Sequence, residues 1–128
     1  MARILVIDDS ATIRRSAVVI LRKDGHEVAE ANNGFESLAT LATFGPDLVF
    51  VDIMMPRLDG YQTCALIKQN RRFAATPVVM LSSKDGLFDR ARGRLVGADD
   101  YVTKPFSRDD LLAPIRRLLP SATEETPS

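Results

Sequence analysis

The sequence predicts an α/β domain in which a parallel sheet carries helices on both faces. Short, continuously apolar runs rich in branched residues recur at residues 4–7, 48–51 and 78–81. Such runs suit strands buried on both sides, as parallel sheets require. Between them lie stretches of helical length, so strand and helix signals alternate along the chain. Strict alternation in five units implies parallel strands joined by helices, and right-handed crossovers leave few ways to wind them.

Ile4-Leu5-Val6-Ile7 is the first strand. Residues 11–24 form the first helix, with Ile13, Ala17, Ile20 and Leu21 on one face, Arg14, Arg22 and Lys23 elsewhere, and Gly25 closing it. Residues 27–31 are a weaker strand, residues 34–43 a helix, and Gly45-Pro46 a break. Leu48-Val49-Phe50-Val51 is a strongly apolar strand, and residues 61–70 are a helix. Pro77 precedes the strand Val78-Val79-Met80-Leu81. Residues 87–96 form a helix ended by Gly97, and Tyr101-Val102-Thr103 is a short last strand. Residues 109–119 are the last helix, which Pro114 is expected to kink or fray. Residues 120–128 are rich in Pro, Ser, Thr and Glu and are expected to be a disordered tail. One domain therefore spans residues 1–119.

Composition narrows the function. The 128 residues carry 17 Lys+Arg against 17 Asp+Glu, a formal net charge of zero. That balance argues against direct nucleic-acid or membrane-surface binding, which favours a basic excess. One Cys and one His exclude an internal disulfide and the common zinc patterns. No apolar run reaches the length of a membrane span, and Met1-Ala2-Arg3 leads directly into a strand. A cytoplasmic protein with no membrane insertion is expected.

The chemistry lies where strands end. Asp8 and Asp9 follow the first strand, Asp52 the third, Ser82 and Ser83 the fourth, and Lys104 the fifth. In a parallel sheet these ends share one edge, the edge at which open α/β sheets bind ligands. Crowded carboxylates repel, so a pKa must rise unless a cation is present. An oxygen-only donor set suits Mg²⁺. With Mg²⁺ at Asp9 and Asp52, and Lys104 and a hydroxyl opposite, one carboxylate can act as a nucleophile toward a phosphoryl group. Asp52 is the central candidate. His26 opens a strand far from this edge, so no general base is evident.

Ile7-Asp8-Asp9-Ser10, Val51-Asp52-Ile53-Met54-Met55-Pro56, Asp59-Gly60, Pro77 to Ser82 and Lys104-Pro105-Phe106, in this order and at this spacing, resemble the receiver domain of bacterial two-component response regulators. The resemblance covers residues 3–119. It implies a flavodoxin-like (βα)5 doubly wound sheet in the order 2-1-3-4-5. It also implies Asp52 as phospho-acceptor, with Asp8, Asp9, Asp52 and the Met54 carbonyl as Mg²⁺ ligands. Ser82 would sense the phosphoryl group, Tyr101 would be the rotating aromatic, and Lys104 the family's lysine. Met54 and Lys84, each two residues beyond a site residue, would flank the attacking water and modulate dephosphorylation. The family's Lys-Pro bond is cis. The runs from Phe50 to Lys68 and from Met80 to Asp89 further resemble PilG-type regulators of type IV pilus twitching motility. Such proteins are stand-alone receivers served by a chemotaxis-like (CheA-like) histidine kinase.

Each residue also has a plainer reading. Asp9 or Ser10 can cap the first helix, either Ser82 or Ser83 can cap the following turn, and Tyr101 can be a packed strand aromatic. Cys64 reads as core. Arg90, Arg92, Arg94 and Arg108 form either a solvated face or a partner-docking patch. The leading expectation is a signalling switch and not an enzyme: a single-domain, monomeric response regulator acting through a separate output protein. The alternatives are a small phosphatase with Asp52 as nucleophile, or a binding module that keeps the fold without phosphorylation. Against the phosphatase, no acid/base carboxylate follows Asp52 at a two-residue spacing, which Met54 occupies.

Overall fold

The computed structural model describes residues 1–83 and 87–119, with backbone alone over 87–89. The expectations for Lys84 and for residues 120–128 fall outside the described residues. Ten elements alternate as β1 (Arg3–Ile7), α1 (Ala11–Lys23), β2 (Glu27–Ala31), α2 (Gly34–Phe44), β3 (Leu48–Asp52), α3 (Gly60–Gln69), β4 (Val78–Ser82), α4 (Leu87–Leu95), β5 (Asp100–Thr103) and α5 (Arg108–Leu118). All paired strands are parallel, in the order β2-β1-β3-β4-β5.

The apolar runs divide by parity. Ile4, Val6, Phe50, Val79 and Leu81 pack with Ala17 and Leu21 of α1 and Leu111, Leu112 and Ile115 of α5. Leu5, Ile7, Val49, Val51 and Met80 pack on the opposite face with Leu41 of α2 and Cys64 and Ile67 of α3. Successive strand residues point to opposite faces, so a strand covered on both sides must be apolar throughout. The central strands β1, β3 and β4 meet that demand. Edge strand β2 does not, and it reads as the weakest strand in the sequence because Glu27 is exposed and Glu30 only half-buried. Each fully buried aliphatic or aromatic side chain contributes about 1.5–3 kcal/mol.

Side chains at the loop ends start the helices. Ser10, Asn33, Asp59 and Ser107 each accept a backbone N–H from the first turn of α1, α2, α3 and α5. Helix α5 runs through Pro114 and stays helical to Leu118, contrary to the fraying expected there. Pro114 is buried beside Leu111, Leu112 and Ile115, and this apolar face offsets the roughly 3 kcal/mol that an interior proline costs. Among the described residues, no helix is long and apolar enough to cross a membrane.

Because β2 and β3 flank β1 on opposite sides, the winding reverses beside β1, and the crevice opens at the carboxyl ends of β1 and β3. Helix α3 starts hard against that edge. A Cβ built on Gly60 would lie 2.4 Å from the Asp52 carbonyl oxygen and 2.6 Å from Ile53 Cα, and the Gly60 N–H donates to the Ile53 carbonyl at 2.9 Å. We therefore expect Gly60→Ala to lower unfolding stability by about 2–3 kcal/mol, measured by urea denaturation. The backbone amide NMR shifts of Asp52 and Ile53 should move with it.

Candidate functional site

The edge of the sheet assembles the polar residues that follow the apolar strands. Asp8 leaves β1, Asp52 ends β3, Ser82 ends β4 and Lys104 follows β5. Asp8 is fully buried and Asp52 is 4 % exposed. Ionised carboxylates at such depth require compensation. Lys104 supplies it: its ammonium donates to Asp8 Oδ2 at 2.9 Å and to Asp52 Oδ1 at 3.0 Å. Backbone donors complete the set, from Ser10 N to Asp8 Oδ1 at 2.9 Å and from Met54 N to Asp52 Oδ1 at 3.3 Å. The Lys104 amide also donates to the Ser82 carbonyl at 2.6 Å, tying the β5 loop to the end of β4. The Lys104-Pro105 peptide bond is cis.

Burial, reinforced by the neighbouring Asp8 charge, raises the Asp52 carboxyl to about 6, although Lys104 and the Met54 amide pull it back. Burial alone would lower the Lys104 ammonium, but its hydrogen bonds and charge attraction to Asp8 and Asp52 outweigh that, and its pKa is raised. Lys104 therefore stays cationic throughout the range in which Asp52 ionises. Asp9 is exposed, yet its carboxylate joins those of Asp8 and Asp52 in a group whose ligand atoms all lie within 4.8 Å of one another. Three hard oxygen donors around a destabilised carboxylate fit a divalent cation such as Mg²⁺.

The remaining sequence candidates are placed as follows. Ser82 is buried, next to Leu81, the register partner of Asp52, whereas Ser83 is exposed. Met54 is 70 % exposed beside Asp52. Tyr101 is half-buried on β5, with the Arg90 guanidinium 5.2 Å from its ring centre. Cys64 is buried, its thiol pushed up to about 11 chiefly by burial, which suits a core residue. His26 lies in the opposite part of the fold, accepting from the Ala2 N–H at 3.0 Å.

The arginines of α4 and α5 do not form one patch. Arg92 stacks 4.4 Å from the centre of the Tyr61 ring on α3, and Arg90 stacks on Tyr101. Arg108 pairs at 3.1 Å with Asp24 at the end of α1, across the sheet from α4. Their proximity in sequence hid this, because α4 and α5 cover opposite faces. Arg14 was also missed: its guanidinium reaches the Asp8 carbonyl at 2.6 Å. Its other partners, Glu30 and Asn32, lie on β2 and the following loop, so periodicity along α1 could not reveal them.

A sequence model described as the response regulator receiver domain matches residues 4–116. The chain is 60% identical over 121 residues to Protein PilG of Pseudomonas aeruginosa, covering 94% of this chain and 90% of that one. It is 44% identical over 126 residues to the probable transcriptional regulator ycf27 of Pyropia yezoensis, covering 98% of this chain but only 51% of that one. Among solved structures, the Vibrio cholerae chemotaxis protein CheY4 superposes with a TM-score of 0.89 at 31% identity, covering 93% of this chain and 99% of that one.

The electrostatics of Asp52 give a pH signature. An acid whose pKa rises from 3.8 unfolded to about 6 folded holds its proton longer in the native state. Between those values the unfolded state binds fewer protons, so stability falls as pH rises and the full penalty applies above 6. Asp52→Asn removes the penalty. Metal-free Asp52→Asn should exceed the native protein by about 2–3 kcal/mol at pH 7.5, and the gain should vanish near pH 4, measured by urea denaturation at both values.

Proposed function

The chain belongs to the response regulator receiver domain family, and we propose that within it Asp52 accepts a phosphoryl group from a histidine kinase and thereby switches a protein-protein contact. The observation that carries this reading is Lys104 bridging Asp8 and Asp52 at 2.9 and 3.0 Å. An Asp52 oxygen attacks phosphorus in line with the phosphohistidine P–N bond. That bond breaks as the new P–O bond forms, the imidazole leaves with the electron pair, and an acyl phosphate remains. Lys104 donates to the phosphoryl oxygens as their charge redistributes. Asp8, Asp9, Asp52 and the Met54 carbonyl would hold Mg²⁺, which supplies neutralising positive charge when bound.

The switch follows from the neighbours. The Ser82 hydroxyl engages the phosphoryl group, and Tyr101 turns inward behind it, leaving its stacking on Arg90. A local charge change thereby becomes a surface change, the general logic of phosphorylation switches. Met54, exposed beside Asp52, and Lys84 are assigned to setting how long the acyl phosphate lasts. The similarity to PilG supports a role in type IV pilus twitching motility or a related chemotaxis-like system. A CheA-like kinase would stand upstream and a separate output protein downstream, with this receiver acting in the cytoplasm as a monomer. Autophosphorylation from small phosphodonors and autodephosphorylation belong to the same proposal, as does a receiver spanning residues 1–119. The acidic cluster with its lysine favours this reading over a phosphorylation-independent binding module, and the exposed Met54 two residues after Asp52 offers no acid for a phosphatase.

Incubation with acetyl phosphate, followed by intact mass spectrometry, tests the proposal. A phosphoryl adduct should form on the native protein with Mg²⁺, and neither without Mg²⁺ nor on Asp52→Asn. An adduct that persists in Asp52→Asn would overturn the assignment of the acceptor.

A further inference from the structure

We propose that Arg14 is a positioning residue for the acidic turn Asp8-Asp9-Ser10, fixing the peptide that aims Asp9 at the cation site. This rests on the receiver reading above and assigns to that site a residue outside the acidic cluster. On sequence pattern alone Arg14 belongs to the polar side of α1. Instead its side chain is only 15% exposed, and two of its nitrogens donate to three partners. Nε donates to Glu30 Oε1 at 3.0 Å, and one terminal nitrogen donates to the Asp8 carbonyl at 2.6 Å and to Asn32 Oδ1 at 3.3 Å. The bond to Asp8 is short and charge-assisted, so it is among the stronger kinds of hydrogen bond.

Its place matters because the Asp8 carbonyl belongs to the Asp8–Asp9 peptide. The other polar groups of Asp8 are also held: its N–H donates to the Ala31 carbonyl at 3.2 Å, and its two carboxylate oxygens accept from Ser10 N and Lys104. Rotation of that peptide would swing the exposed Asp9 carboxylate away from Asp8 and Asp52. Arg14 opposes the rotation from below the turn, and Glu30 balances its charge. Groups that orient a metal's ligands typically change affinity tenfold or more when removed.

Charge alone predicts the opposite sign. A guanidinium near a cation site repels the cation, so its removal should tighten binding, whereas loss of positioning weakens it. The test is Mg²⁺ titration followed by backbone amide NMR shifts at Asp9 and Met54, with urea stability measured alongside. Arg14→Met keeps the apolar stem and a good helix former while deleting the donors, and should raise the Mg²⁺ dissociation constant about tenfold. Arg14→Lys restores one donor and should recover part of that loss. An Arg14→Met protein that is less stable but binds Mg²⁺ as tightly as the native chain, or more tightly, would overturn the inference and leave Arg14 as a tie between α1 and β2. A native chain that binds no Mg²⁺ would instead overturn the receiver reading on which the inference depends.

Discussion

Lys104 holds two buried carboxylates from two different strands with one ammonium, and the rest of the edge depends on that bridge. Without it, Asp8 and Asp52 would place like charges side by side away from water, and one would have to bind a proton. With it, the pair is tolerated but not relaxed: burial and Asp8 still hold the Asp52 carboxyl near 6. This leaves a carboxylate that is ionised at neutral pH and poorly compensated. Such a group has much to gain from a divalent cation, and it is well placed to act as a nucleophile.

The fold supplies the geometry at little local cost. Parallel strands end on one edge, so polar residues placed one step beyond apolar runs converge without any special loop. The order β2-β1-β3-β4-β5 sets Asp8 and Asp52 on adjacent strands, and Lys104 reaches back from β5. Two tight contacts then limit movement of the edge. Gly60 lets α3 press against the Asp52 backbone, and the Lys104 amide clamps onto Ser82. On β5, half-buried Tyr101 stacks with Arg90 of α4, so the last strand of the sheet is tied to the neighbouring helix.

Much of this was legible in the residues. The parity of the apolar runs requires strands covered on both faces, and the strand-end positions of Asp8, Asp52, Ser82 and Lys104 imply one shared edge. Strand order came only with the family resemblance, because alternation alone admits several windings. What escaped was whatever depends on contacts distant in sequence. Arg14 looked like one more exposed helix arginine, since Glu30 and Asn32 lie 16 and 18 positions away. Arg108 looked like a neighbour of Arg90, although α5 lies across the sheet. Pro114 pointed to a kinked or frayed helix, because a propensity argument cannot see that it is buried along with Leu111 and Ile115.

Lys104 keeps ionisable an Asp52 carboxylate that burial and Asp8 destabilise. The most direct test is a ¹³C NMR titration of the Asp52 carboxyl in metal-free protein, native and Lys104→Met. The midpoint should lie near 6 in the native protein and move to higher pH when the ammonium is removed. A midpoint near the ordinary value of 3.8 in both proteins would contradict it, because Asp52 would then be neither destabilised by burial nor dependent on Lys104.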